Sequence, residues 1–423
     1  MHASNKKQPI FYGWWIVAGL FVIDAVASLG RYNLAAFLPF IRQDLGWSLP
    51  TIGLAQSIAI WLYALSVLLA GVLVDRIGSR KTFLIGGSVT IAGWVLFSTS
   101  SSPWQLYLYY GVLLALAVGM THYVPVMATI RKWFIKRAGL VAGITGSAWA
   151  LGNSIFVPVM TGLADSNGWR NTSLVLGICF GAVIILCALF IIRDTPESVG
   201  LSPDGAASPT HANGTKSLEV SWGVKRALRT PQFLLLFTSY SVYNIGTNGL
   251  SANVVTWGTD LGSPAASAGI FSTAFAVPWM IGSLAGGWLG DKYGKGLIIP
   301  IGLAIAMASM LYGWLGVHTQ QSLVVLSIGV GFGTGLQVPL YAPLLGDLFG
   351  RARVGSLFGI LTFGYGAVGG WGPLIWATLR ESTGYYNAAA LVAAVCYAVA
   401  VVAVLLVRPM RAEATISADE SPL

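Results

Sequence analysis

Charge is what this 423-residue chain has least of: Asp, Glu, Lys and Arg together make up 9% of it. Soluble domains carry about 25%, so a globule covered by water is excluded. Cysteine is scarce as well. Cys179, Cys187 and Cys396 all lie in apolar runs, where a thiol behaves as a small hydrophobe, and they offer no disulfide framework. The sequence has no glycine-rich phosphate loop ending in Lys-Ser/Thr, no Cys/His spacing for a metal and no nucleophile–base set. These absences argue against an ATP motor, a metal or other cofactor, and an enzyme. What is present instead is apolar: 55% hydrophobic residues, 52 glycines and a mean hydropathy of +0.73. The short polar N-terminus runs straight into an apolar stretch, so no cleaved signal peptide is expected.

A membrane helix takes about 20 apolar residues. Twelve such stretches can be read, near 12–40, 51–74, 81–101, 103–130, 137–164 and 170–193, then 232–260, 266–290, 296–317, 321–348, 354–380 and 385–407. An even count puts both ends on one side, and that side collects 20 of the 24 Lys and Arg. Arg31, Arg42, Arg170 and Arg380 are the exceptions. Basic residues accumulate on the cytoplasmic face, so cytoplasmic termini in the cell's inner (plasma) membrane are expected. The net charge of +9 is then a topology signal, and no nucleic-acid partner is implied. Residues 194–230, rich in Pro, Gly, Ser and Thr, read as a flexible cytoplasmic linker. They separate a six-helix bundle over 1–193 from a second over 231–410, with a polar tail at 411–423.

The halves repeat weakly at one offset of 216 residues. Asp44-Leu45-Gly46 returns as Asp260-Leu261-Gly262, and Gly71, Asp75 and Gly78 return as Gly287, Asp291 and Gly294. Gly139 and Gly143-Ile144 return as Gly355 and Gly359-Ile360, and Gly168 and Asn171 as Gly384 and Asn387. Single glycine matches mean little in so glycine-rich a chain, but four clusters in one register are harder to dismiss. Two parallel repeats about an axis along the membrane normal form an all-α protein of twelve helices in two pseudo-symmetric bundles.

The loop Gly71-Val-Leu-Val-Asp75-Arg76-Ile-Gly78-Ser-Arg80-Lys81 resembles the signature loop of major facilitator transporters. Its second copy, from Gly287 to Lys295, keeps Gly, Asp291 and Gly294 but has Lys292 for the arginine. Glycine permits close helix approach, and an acid at a helix end can lock one conformation through charge-assisted hydrogen bonds. Gly71, Asp75, Arg76, Gly78, Arg80, Gly287, Asp291 and Gly294 are therefore the expected gating set; the alternative is a solvated basic loop that only sets topology. Trp133-Phe134-Ile-Lys136-Arg137-Ala-Gly139-Leu140-Val-Ala142-Gly143, together with Tyr12-Gly13-Trp14-Trp15 and the run from Arg31-Tyr32-Asn33 to Pro39, resembles the monocarboxylate porters and oxalate/formate exchangers. There are departures. Tyr12 replaces the acid of the first signature, Ser283 stands where these carriers often have an arginine, and no basic residue lies deep in the eleventh span.

An ionisable residue at membrane depth costs roughly 2.5–3.5 kcal/mol or more and marks function when it faces a cavity. Asp24 and Arg31 flank the centre of span 1, seven residues apart and thus about 10 Å along the axis. Arg31 reads as a bidentate clamp for a substrate carboxylate, as a structural partner of Asp24, or as an arginine snorkelling to the surface. Asp24 reads as a proton-coupling acid held charged by Arg31 until substrate arrives, or as a structural carboxyl. His122 in span 4 could carry that proton or simply bond a carbonyl. The resemblance implies that Tyr123 lines the cavity. Tyr32, Asn33, Asn153, Asn248, Gln337 and Tyr341 are further substrate candidates, with interhelical bonding as the alternative. Trp279, Trp371 and Trp376 could shape an apolar pocket.

The expected function is a monomeric secondary carrier of a small organic anion, a monocarboxylate, moved with a proton across the bilayer by alternating access. The missing span-8 arginine leaves room for a larger aromatic or vitamin-like solute. A membrane sensor on the same scaffold is a third reading, disfavoured because no soluble output domain is attached.

Overall fold

The computed structural model describes residues 11–32, 34–134, 138–205, 223–350 and 354–407, without the side chains of Arg31, Tyr32, Leu68, Asp75, Ala138, Leu140 and Ala142. Helical stretches occupy every apolar interval, and among the described residues no strand occurs. They are α1 (Gly13–Tyr32 and Leu34–Leu45), α2 (Leu49–Ile77), α3 (Ser79–Ser98), α4 (Pro103–Trp133), α5 (Ala138–Gly146 and Ala148–Asn167) and α6 (Trp169–Phe190). After the linker come α7 (Pro231–Asp260), α8 (Ile270–Tyr293), α9 (Lys295–Gly316), α10 (Gln320–Phe349), α11 (Val354–Ala367 and Gly372–Thr383) and α12 (Asn387–Leu405). Among the described residues nine of these stretches are long and apolar enough to cross a membrane. The other three have reasons of their own: α5 and α11 are broken, and α7 carries a polar stripe. Large apolar side chains such as Phe190, Leu315 and Leu405 stand exposed on the outside, as they do where hydrocarbon is the solvent. This is a multi-pass membrane protein.

Local chemistry explains where helices start and stop. Ser48 and Thr230 accept backbone N–H bonds from Thr51 and Phe233, with Pro50 and Pro231 in the first turn. The stops are repeated. Gly46, Gly78 and Gly168 have φ of 64°, 86° and 77°, and their mates Gly262, Gly294 and Gly384 have 83°, 94° and 81°. An L side chain resists that conformation, so the 216-residue register seen in sequence is a register of glycine stops at corresponding helix ends. The repeated Asp-Leu-Gly acids also act alike. Asp44 pairs with Arg170, and Asp260 accepts from Arg380 Nε at 2.8 Å. Two arginines outside the basic end thus have acids of their own.

The tightest helix pairs lie within one set, α3 with α6, α8 and α9 with α10, and α9 with α12. On α9 and α10, a Cβ added to Gly302 or Gly333 would lie 2.6 or 2.5 Å from the other's carbonyl oxygen, so these backbones touch in the manner of small-residue membrane interfaces. The two sets meet through α2 on α11 and α5 on α8. The linker is pinned at its start. Asp194 Oδ1 accepts from the backbone N–H of Arg80 (2.9 Å), and the Arg80 side chain donates to the Ala188 and Leu189 carbonyls that end α6. Short helical turns follow at Pro196–Val199 and Val224–Leu228.

Candidate functional site

A cavity of about 230 Å³ lies between the two sets of helices. Its first wall comes from α1, α2, α4 and α5 (Asp24, Tyr63, His122, Tyr123, Gly146, Trp149), and its second is built mainly on α7. There Tyr240, Tyr243, Asn244, Thr247, Asn248 and Ser251 recur at the spacing of one helical face. Phe275, Trp279, Thr334, Val338, Phe358, Thr362 and Tyr365 complete it.

Asp24 is 2% exposed and His122 6%, and their Oδ1 and Nδ1 atoms are 2.7 Å apart. At that distance one proton must lie between carboxylate and imidazole, donated by whichever holds it. A second proton, on Nε2, makes imidazolium beside carboxylate. With the bridging proton alone the pair carries one net negative charge, on the carboxylate; with the second it is neutral overall.

Two features of the backbone build it. Pro125 has no N–H for the carbonyl four residues earlier and clashes with it, so α4 stops at Thr121, His122 takes an extended conformation (φ −100°, ψ −157°), and a new segment starts at Tyr123. Gly152 of α5 packs directly on the backbone of Ala25, with room for no Cβ, and so holds the α1 turn that carries Asp24.

The expected residues fall into distinct places. Asp24, His122, Tyr123 and Asn248 line the cavity, and Tyr123 is 44% exposed to it. Asn248 is engaged at both ends: it donates to the Gly369 carbonyl at the break in α11 (3.1 Å) and accepts from Tyr365 Oη (2.9 Å). Asn153 lines a neighbouring cavity of about 20 Å³ instead and donates to the Trp149 carbonyl. Gln337 and Tyr341 do not line the cavity themselves. Both are fully buried off the wall: Gln337 packs against Gly302 of α9, and Tyr341 shares a hydrogen bond with Ser239 (2.8 Å) behind Tyr240 and Tyr243. Arg31 and Tyr32 end the first segment of α1, with side chains outside the description, and Asn33 lies outside the described residues. Among the described residues Asp24 pairs with His122 on another helix, a pairing that no spacing along α1 could reveal.

The gating residues also sort. Gly78 and Gly294 are stops, Arg80 ties α3 to α6, and Arg76 and Asp291 are exposed. Gly71 and Gly287 are not at a close helix approach in this conformation. A Cβ on Gly71 would meet only Val124 of its own half, at 4.0 Å, and one on Gly287 would meet nothing within 4 Å. Trp279 does face the cavity. Trp371 instead meets Trp61 across the halves, and Trp376 is buried beside Trp257 and Tyr386. The rings missed in sequence were Tyr63, Trp149, Tyr240, Tyr243, Phe275, Phe358 and Tyr365. The spacing from Tyr240 to Ser251 was their one legible signal.

Comparison with known proteins fits this architecture. The sequence profile described as Major Facilitator Superfamily matches residues 20–259 and 236–422. The oxalate:formate antiporter of Oxalobacter formigenes is 24% identical over 386 residues, 90% of this chain and 88% of that protein. Monocarboxylate transporter 12-B of Danio rerio is 26% identical over 422 residues, covering 92% and 86%. A crystal structure of a bacterial homolog of the human lysosomal transporter Spinster, in an inward-facing and occupied conformation, superposes with a TM-score of 0.71 at 14% identity, covering 94% of each chain.

Proposed function

The chain belongs to the Major Facilitator Superfamily, and we propose that this transporter moves a monocarboxylate together with a proton. The carrying observation is the buried Asp24–His122 pair in the wall of a cavity formed between the halves. A proton-coupled carrier needs a group that titrates while facing the substrate, and this pair is so placed. The names of the oxalate:formate antiporter and monocarboxylate transporter 12-B support the anion.

In this reading Arg31, two turns beyond Asp24 on α1, receives the carboxylate. The Asp24–His122 pair takes the proton, and the halves rock around the cavity. An anion entering a low-dielectric site favours protonation nearby, and the proton in turn favours the anion, so the two bind with positive, reciprocal coupling. Twenty of 24 basic residues at one end support cytoplasmic termini in the inner membrane, with the monomer as the working unit.

The test is uptake of radiolabelled acids into proteoliposomes with and without a pH gradient. Asp24→Asn should keep exchange of substrate across the membrane while losing accumulation driven by ΔpH. Concentrative uptake by that variant under ΔpH alone would make Asp24 structural and end its coupling role.

A further inference from the structure

The composition of the cavity wall goes further than its charge. Nine of the nineteen lining residues are Tyr, Trp or Phe, against 12% aromatic residues in the whole chain, an enrichment of about fourfold. The wall has almost nothing aliphatic. Val338 is its one aliphatic side chain among the described residues, although Leu, Ile, Val and Ala dominate the surrounding spans. Rings also meet where the halves meet. Trp149 of α5 and Trp279 of α8 stand edge to face with centroids 4.5 Å apart, both on the cavity.

From these observations we infer that the substrate is a monocarboxylic acid bearing an aromatic ring, the ring lying against Trp149 and Trp279. The inference rests on the transport reading above and narrows it. Offset and edge-to-face ring pairs gain about 0.5–1.5 kcal/mol beyond the area they bury, and a planar ring exploits such a wall better than a short alkyl chain does.

Size agrees. A dry cavity of about 150 Å³ holds benzene, so 230 Å³ holds a ring with a carboxyl-bearing arm. A two-carbon acid would leave most of that volume to water, at about 30 Å³ a molecule, and would touch few of the rings.

Charge agrees too. Among the described lining residues, His122 alone can become positive, and Asp24 offsets it. A protonated His122 offers one positive group to a substrate, which suits one carboxylate better than two.

The experiment uses the full chain in proteoliposomes under an inward proton gradient. Benzoate and phenylacetate are compared with acetate and propionate, with oxalate, and with cyclohexanecarboxylate, which has the bulk of benzoate without its π-face. The expected result is uptake of the aromatic acids at least tenfold more efficient than that of any other probe. Trp279→Ala should erase that preference, read as the ratio of benzoate to propionate uptake in the same variant, and Trp279→Phe should restore most of it. Quenching of tryptophan fluorescence by benzoate in detergent, present in the wild type and weakened in Trp279→Ala, supplies a readout that needs no transport. Short acids carried as well as aromatic ones, or cyclohexanecarboxylate carried as well as benzoate, would overturn the inference and leave anion transport standing. Accumulation of no acid at all would overturn the transport reading, and the inference with it.

Discussion

The interface between the two sets of helices is shut at one end and open at the other. At the end away from the basic loops, Gly53 of α2 lies against α11, where an added Cβ would be 2.9 Å from the Pro373 carbonyl. Its mate by the 216-residue offset, Gly269 at the start of α8, lies against α5, with Pro158 Cα at 2.6 Å. Thr161 donates to the Ala266 carbonyl (3.0 Å), and Thr273 donates to that of Ser154 (2.8 Å). At the basic end Gly143, Gly287 and Gly359 have no neighbour within 4 Å of an added Cβ, and Gly71 has only Val124, at that limit. These four are also repeat mates. Each of the crossing helices α2, α5, α8 and α11 thus has a glycine at its open end, and two of them have one at the closed end. A seam built symmetrically and closed asymmetrically is a seam with a second state.

Breaking the closed end should have the largest effect. Gly269→Leu puts a side chain into the backbone of Pro158, and neither backbone can yield cheaply. Overpacking costs about 1–3 kcal/mol, which shifts a two-state equilibrium some five- to 150-fold. Cysteines placed at the closed end should become reactive to a membrane-impermeant maleimide, and ΔpH-driven uptake should fall at least tenfold.

Filling the open end gives the opposite pattern. Gly359→Leu meets free space, so thermal stability should stay within about 0.5 kcal/mol of wild type. Substrate should still quench tryptophan fluorescence, yet transport should stop, because the basic end can no longer close.

The acids of the repeated loops should matter less. Asp75→Asn is expected to slow alternation several-fold while sparing substrate affinity, measured as exchange rate against Kd. Asp291→Asn, in the degenerate copy and exposed, should do so more mildly; a larger effect at Asp291 would reverse this ranking. Asp44→Asn is the smallest. It breaks a surface pair with Arg170 in which Asp44 is half exposed, worth at most about 1 kcal/mol, visible only as a slight fall in Tm.

Much of this seam was legible beforehand, and the reason is physical. Membrane spans are long apolar runs, and a positive-φ stop admits little but glycine, so Gly46, Gly78 and Gly168 could be matched to Gly262, Gly294 and Gly384 from the sequence alone. The site was less so. Asp24 and His122 each stood out as ionisable groups in apolar surroundings, but they are 98 residues apart and meet only because Gly152 and Pro125 position α1 and α4. Gln337 and Tyr341 show the converse. Their polarity drew attention in an apolar span, and the fold uses that position for packing against Gly302 and bonding to Ser239.

The break in α4 separates two properties that are usually entangled. Pro125, not His122, interrupts the helix, so the backbone opens toward Asp24 whatever side chain stands at 122. The proline three residues away thus sets where the two side chains meet, and Asp24 and the residue at 122 together set what that meeting can hold. In the proposed coupling, a substitution at 122 would retune the pair without rebuilding the helix that presents it.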